Sequence, residues 1–308
     1  MTIHQTMLSI LMLVSNLKTG LFFPMKTLIK CKKATGDCLE KEATAMENKS
    51  ILVLHSGGLD STLLYQMAKK EASNVKAVYF DIGHDYAWKE KQSLPSEVEV
   101  IDVSWFQAEG KGKDGNTMGS IFIPGRNLLF IVMAACKFLP DEIWLGALMG
   151  ELHDSATDKN IKFQQECTNL LQYVLRPFKP NIRVVYPAVE RGMGKLELTR
   201  WGIENGFSKL IEKSSSCMTG NTKQPCGYCG VCLRRAGIFH QLNLHEEYTV
   251  DNPFEDSRNF PMIIELLKAD IEHNYSHYDK YRIEEIVPAL EDFYRMTKEE
   301  LLEKYESK

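Results

Sequence analysis

Residues 51–62 read ILVLHSGGLDST, and this stretch constrains the fold more than any other. Four apolar residues, Ile51 to Leu54, stop abruptly at Ser56-Gly57-Gly58. Leu63, Leu64, Met67 and Ala68 then recur at helical spacing. The pattern predicts a buried strand, a glycine turn and a helix N-terminus. Glycine allows a tight turn and brings main-chain N–H groups close to a ligand. The helix start adds N–H groups without partners and a partial positive charge. Ser56, Ser61 and Thr62 add hydroxyl donors. Such a place suits phosphate, and it lacks the Gly-Lys-Ser/Thr ending of a P-loop. A serine–glycine turn without a ligand is the alternative.

Ser56-Gly57-Gly58-Leu59-Asp60-Ser61 resembles the SGGxDS loop of the PP-loop ATP pyrophosphatases. The resemblance implies an adenine nucleotide alpha hydrolase-like fold. It also implies ATP and Mg²⁺, with the loop gripping the β,γ-phosphates while a substrate oxygen attacks the α-phosphate. Leu54, Ser56, Gly57, Gly58, Leu59, Asp60, Ser61 and Thr62 are then nucleotide ligands, and Ser56, Asp60 and Ser61 also catalytic groups.

Val75–Phe80 reads as a second strand, ending in Asp81-Ile82-Gly83. Strand, helix and strand in that order predict a right-handed βαβ unit and a doubly wound α/β fold with a parallel sheet. Ligands in such sheets lie beyond the carboxyl ends of the strands. Family resemblance puts Phe80 and Asp81 against the adenosine; a helix N-cap is the alternative for Asp81. His84 and Tyr86 read as loop or surface residues. Glu97–Val103, Glu142–Ala147 and Ile182–Tyr186 read as further strands, with Gly146 near the end of one as a cofactor contact. Lys111 and Lys113 fall in a glycine- and lysine-rich loop that reads as solvated.

Ile121–Ala135 reads IFIPGRNLLFIVMAA. Asn127 is the expected N-cap of a helix Leu128–Phe138. Arg126 stands at the start of that buried helix, where a guanidinium needs an anionic partner. Phe122 to Phe130 resembles the PGRN signature of the QueC family of 7-cyano-7-deazaguanine synthases, which implies catalytic and nucleotide-binding roles for Arg126 and substrate contact for Asn127. That family typically carries a Pro-Asp-Cys-Arg-Pro-like core before Glu-Phe. Here Glu151–Phe163 lacks the Cys-Arg-Pro core and keeps Asp154 and Asp158 as candidate substrate ligands. Lys195, which Gly194 precedes where the family has Ser or Thr, opens the helix Leu196–Glu204. A lysine there opposes the macrodipole and calls for an anion, so Lys195 is a candidate catalytic and phosphate-binding group.

Four of the eight cysteines, Cys217, Cys226, Cys229 and Cys232, crowd together at Cys-x8-Cys-x2-Cys-x2-Cys spacing. Four thiolates with two close steps fit tetrahedral Zn²⁺ in a closed structural site; an iron–sulfur cluster is the alternative. The run into Leu233-Arg234-Arg235 resembles the QueC zinc element. Arg234 is a candidate substrate or phosphate ligand, or offsets the thiolate charge. Clustered cysteines beside a nucleotide motif suit a reducing cytoplasm.

The 308 residues carry a net charge of −4, so no global basic field invites nucleic acid. The expected organisation is an N-terminal extension at 1–49, a PP-loop domain at 50–242 and a helical appendage at 243–308. No basic n-region precedes the apolar run Leu8–Val14, which is too short to span a membrane; initiation at Met25 or Met46 is an alternative for this region. In the tail, Ile263–Ile271 and Ile283–Tyr294 show helical spacing, with Pro288 expected to break or kink the second. The resemblance implies an ATP-dependent ligase that converts 7-carboxy-7-deazaguanine and ammonia into 7-cyano-7-deazaguanine (preQ0), as in queuosine biosynthesis, acting as a cytoplasmic homodimer. One alternative is a divergent enzyme of an antiphage defence or phage cluster that modifies a protein amine or nucleic acid. Another is a non-catalytic nucleotide-binding partner subunit.

Overall fold

The computed structural model describes residues 49–84, 87–106, 123, 125–152, 158–214, 216–219 and 224–308. The expectations for residues 1–48, Tyr86, Lys111, Lys113 and Asp154 fall outside them. Among the described residues, five strands make one sheet: β1 (Ser50–Leu54), β2 (Asn74–Asp81), β3 (Glu99–Asp102), β4 (Glu142–Trp144) and β5 (Arg183–Val185). Their order is β3-β2-β1-β4-β5, and every pairing is parallel. The chain winds outward from β1 to β3, then returns to lay β4 on the other side of β1. The doubly wound reading therefore holds, with its switch point between β1 and β4.

The helices are α1 (Leu59–Glu71), α2 (Ala87–Ser93), α3 (Arg126–Phe138), α4 (Ile161–Val174), α5 (Pro187–Glu190), α6 (Lys195–Glu204), α7 (Ser208–Lys213) and α8 (Gly230–Gln241). After them come α9 (Phe260–Ile271), α10 (His277–Tyr294) and α11 (Lys298–Glu306). Alternation along the strands assigns the two faces. Ile51, Val53, Tyr79 and Trp144 pack with α1, α6, α7 and α8, whereas Leu52, Val78, Phe80 and Ile143 pack with α3 and α4. Burial on both faces is why β1 reads as a continuous apolar run.

Some boundaries differ from the expectation, for local reasons. β4 ends at Trp144, three residues short of Ala147. Helix α3 starts at Arg126, because Gly125 takes the cap position at φ +72°. Asn127 thus lies inside the first turn and is not the N-cap. Asn160 caps α4, its Oδ1 accepting the Phe163 N–H at 2.9 Å. Pro288 does not break α10. Proline cannot bond the carbonyl four residues back, and Gln241 Nε2 donates to the Glu284 and Glu285 carbonyls instead, at 3.0 and 2.9 Å. Helices α9 to α11 close a core of their own on α8, through Leu233, Leu267, Ile286, Val287, Leu290 and Leu301. No helix among the described residues is long and apolar enough to cross a membrane.

Candidate active site

A cavity of about 320 Å³ opens at the carboxyl ends of β1, β2 and β4, over the switch point. That is within the roughly 300–1,000 Å³ of small-molecule sites. Of the expected residues, Leu54, Ser56, Gly58, Leu59, Asp60, Ser61, Phe80, Arg126, Asn127, Gly146 and Lys195 line it, and Gly57 does not.

The β1–α1 turn is held open by its own hydrogen bonds. Ser56 N–H donates to Ser61 Oγ at 3.1 Å, and Ser61 Oγ donates to the Gly58 carbonyl at 3.1 Å. Gly57 has φ +70°, and a Cβ there would collide with the Glu90 carbonyl oxygen of α2; only glycine meets both demands. Gly58 supplies no side-chain cap to α1, so the first-turn N–H groups are available to an anion. Across the cavity Lys195 starts α6, and its Nζ donates to Asp60 Oδ2 at 2.9 Å. The second oxygen, Asp60 Oδ1, has no hydrogen-bond partner. Gly146 leaves room beside this helix start: a Cβ there would stand 3.8 Å from Asp60 Cβ.

Several expected residues are placed elsewhere. Thr62 is buried, and its hydroxyl donates to the Gly58 carbonyl at 2.8 Å. Asp81 is not among the lining residues. It pairs with Lys91 at 2.6 Å and accepts the Gly83 N–H at 2.9 Å. Burial pushes its carboxyl up, and these partners outweigh it and hold it below the usual range. Asp158 takes the Asn127 carboxamide on its carboxylate, at 2.9 Å, instead of lining the cavity. Arg234 turns to Glu285 on α10, with its NH2 donating at 2.8 Å. The neighbouring Arg235 is buried, donating to Glu246, Ser214, Ser216 and the Ile211 carbonyl. Both arginines are thus committed to protein partners.

Other lining residues were not singled out from the sequence, except His84, which was read as a loop or surface residue and stands in a loop that lines the cavity. His55 is buried, and its Nδ1 accepts the Gly57 N–H at 2.9 Å. Burial lowers its pKa to about 4, so the ring is neutral near pH 7 and able to accept. Lys159 brings a third cation beside Arg126 and Lys195, paired with Glu151 at 3.1 Å. Burial pushes the Glu151 carboxyl up, but Lys159, Lys195 and Arg234 together hold it low. Tyr186 is fully buried against the cavity, and its hydroxyl has no hydrogen-bond partner. His84 also lines the cavity, with Nε2 3.0 Å from a Glu90 oxygen that accepts the Tyr79 hydroxyl at 2.7 Å. Phe80 stacks on Phe130 with centroids 4.8 Å apart. A histidine breaking an apolar strand, and a lysine next to the expected Asp158, were the available signals.

The cysteine quartet borders the same cavity through Cys217. The four Sγ atoms lie within 4.8 Å of one another, and those of Cys226 and Cys232 are 3.8 Å apart. Metal–sulfur bonds of about 2.3 Å in a tetrahedron space sulfurs by about 3.8 Å, so the quartet fits one ion. Main-chain N–H groups already point at the sulfurs, Cys226 N to Cys217 Sγ at 3.3 Å and Cys232 N to Cys229 Sγ at 3.4 Å. Gly227 has φ +78°, and a Cβ there would collide with Val250. Of the remaining described cysteines, Cys167 is buried, its thiol pushed up to about 11 by burial, and Cys136 is exposed.

A family model described as "Queuosine biosynthesis protein QueC" matches residues 50–243. The 7-cyano-7-deazaguanine synthase of Prochlorococcus marinus strain AS9601 is 30% identical over 227 residues, covering 64% of this chain and 97% of that protein. The synthase of Persephonella marina is also 30% identical over 227 residues, covering 66% and 97%. That of Sulfolobus acidocaldarius is 26% identical over 224 residues, covering 64% of this chain and 47% of its own length. Among solved structures, the U34-tRNA thiolase NcsA from Methanococcus maripaludis with its [4Fe-4S] cluster is 13% identical. It covers 70% of this chain and 91% of its own, with a TM-score of 0.28, too low to carry an argument. With its switch-point cavity, its serine–glycine turn and a family match over residues 50–243, this chain belongs to the QueC family.

Proposed function

We propose that the protein is an ATP-dependent ligase acting on the carboxylate of 7-carboxy-7-deazaguanine. One observation carries the reading: the uncapped start of α1 and the Lys195–Asp60 pair beside it line one cavity at the β1/β4 switch point. The N–H groups of the first turn and the Ser56 hydroxyl take the β,γ-phosphates, while Ser61, whose hydroxyl proton goes to the Gly58 carbonyl, holds the turn in shape. Lys195 and Arg126 offset charge as it moves onto the leaving pyrophosphate. Mg²⁺ fits the free Asp60 Oδ1, since it prefers carboxylate oxygen, and supplies further charge neutralisation when bound.

With ATP held by its tail, a carboxylate oxygen attacks the α-phosphorus and pyrophosphate leaves. Ammonia then attacks the acyl carbon, AMP leaves and the amide remains. The amide oxygen then attacks the α-phosphorus of a second ATP and pyrophosphate leaves; loss of AMP and of both amide protons gives the nitrile. The protein contributes placement and electrostatics, with no nucleophile of its own. Zn²⁺ suits the quartet, whose four sulfurs fill a tetrahedron and leave no open position for chemistry.

Incubation with ATP, 7-carboxy-7-deazaguanine and ammonium tests the reading by mass spectrometry. The expected products are the nitrile, AMP and pyrophosphate, from protein holding one equivalent of zinc. The absent Cys-Arg-Pro core and the cation Lys159 beside Asp158 support a second reading. In it the adenylated deazaguanine is transferred to a protein amine or nucleic acid, and adenylate or amide forms without nitrile. No pyrophosphate with any acceptor defeats both and leaves a nucleotide-binding subunit.

A further inference from the structure

The family match ends at residue 243, yet a residue well beyond it is seated against two backbone segments that lead into charged residues of the site. A Cβ on Gly150 would lie 2.7 Å from Tyr281 Cβ, and one on Gly194 would lie 2.6 Å from Tyr281 Cδ1. Tyr281, on α10, therefore rests on bare backbone at both places. The two backbones are joined, since Met149 N–H donates to the Met193 carbonyl at 3.1 Å. Each glycine also directly precedes a charged residue of the site. Gly150 leads into Glu151, the partner of Lys159, and Gly194 into Lys195, the partner of Asp60.

The same face of α10 is fixed one turn further on. Glu285 pairs with Arg234 of α8, and the Glu285 carbonyl lies so close to Gly237 that a Cβ there would collide. The apolar core of α9 to α11 is complete without Tyr281. The ring's seat on the two glycines is thus separate from what holds the appendage together.

We infer that Tyr281 is a positioning residue, whose ring sets Lys195 and, through Glu151, Lys159 in the cavity. It touches no substrate itself. Because 1 Å of misplacement can cost about 10²-fold in rate, the appendage beyond the family core governs how well the core works. The role of the two lysines rests on the proposed reaction; the mechanical link does not.

The test uses the full chain with Tyr281→Ala, Tyr281→Phe, Gly194→Ala and the double variant Gly194→Ala/Tyr281→Ala. Hydrogen exchange is followed at 148–152 and 193–198, and pyrophosphate release is measured at varied ATP. Tyr281→Ala is expected to speed exchange at both segments about tenfold, with β1 unchanged, and to lower kcat/KM for ATP about 10–100-fold. Tyr281→Phe stays within twofold, since it keeps the ring. Gly194 has φ −83° and ψ −170°, which any residue adopts, so the obstacles to Gly194→Ala are the ring and, at 2.8 Å, the Glu197 carboxylate, whose flexible end can shift. Removing the ring in the double variant is expected to recover at least fivefold over Gly194→Ala. The inference is overturned if Tyr281→Ala leaves exchange at both segments within twofold. It is equally overturned if Tyr281→Phe matches Tyr281→Ala, or if exchange rises uniformly across the sheet. Should the wild type release no pyrophosphate, the proposed reaction fails, and the exchange pattern still decides this inference.

Discussion

At the end of the cavity proposed for phosphate, the bonds that shape the turn all close between His55 and Thr62. At the other end, Asn127 reaches Asp158 across 31 positions and Lys159 reaches Glu151, while Tyr281 rests on Gly150 and Gly194 from beyond the family match. A turn closed by near neighbours tolerates change elsewhere in the chain. A surface assembled from distant segments can be retuned by altering any one of them. The QueC match and the absent Cys-Arg-Pro core fit the proposal on that division: the proposed nucleotide handling rests on the near-neighbour turn, and acceptor handling is free to drift.

The largest expected effect tests whether the phosphate end depends on anything from afar. Lys195 is its most distant contributor, 135 positions from Asp60 and buried. Lys195→Ala removes a cation aimed at the phosphates and leaves Asp60 without its partner. A loss on the order of 10³-fold in kcat/KM for ATP is expected, about 4 kcal/mol. Pyrophosphate release with a urea melt as fold control measures it. A loss below tenfold would mean that the turn binds the tail unaided, making the contrast between the two ends sharper still.

The second effect concerns the turn's own stability. His55 titrates at about 4 in the folded chain, against 6.5 ordinarily, because burial disfavours its charged form; Glu97 opposes the shift and Lys69 adds to it. As pH falls below about 6.5, the unfolded chain takes up the proton first. The contribution is therefore complete above pH 6.5 and is lost as pH falls toward 4, by about 3 kcal/mol in all. His55→Asn keeps an acceptor for the Gly57 N–H without titrating. Urea unfolding at pH 7 and pH 4.5 should show the wild type losing more stability than this variant. Equal losses would mean that the ring is not held neutral.

The same contrast explains what could be read in the sequence. Ser56 to Ser61 are contiguous, and strand-then-glycine spacing carries their geometry. Arg126 and Lys195 were legible because a cation at a helix start needs an anion. Asp81, Thr62 and Arg234 could not be resolved this way, because Lys91, the Gly58 carbonyl and Glu285 are competing partners that only the folded chain supplies. Asn127 went astray for a local reason: Gly125 already occupied the cap. Lys159 stood beside an expected residue, but its partner Glu151 lies eight positions away, and no periodic pattern links the two.

Lys159 therefore gives the smallest and most discriminating prediction. If the far end serves the acceptor, Lys159→Met should raise the acceptor's KM about tenfold, near the strength of one charge-assisted hydrogen bond. The KM for ATP should stay within twofold. The single variant also strands Glu151, which sits mostly out of solvent and whose carboxylate Lys159 helps hold ionised. A stranded carboxylate would repel an anionic acceptor and exaggerate the loss. Lys159→Met/Glu151→Gln removes both charges, and the part of the effect that survives belongs to Lys159 itself. If that part falls on ATP instead, Lys159 is a third phosphate ligand, and the boundary between the two ends lies beyond Asp158.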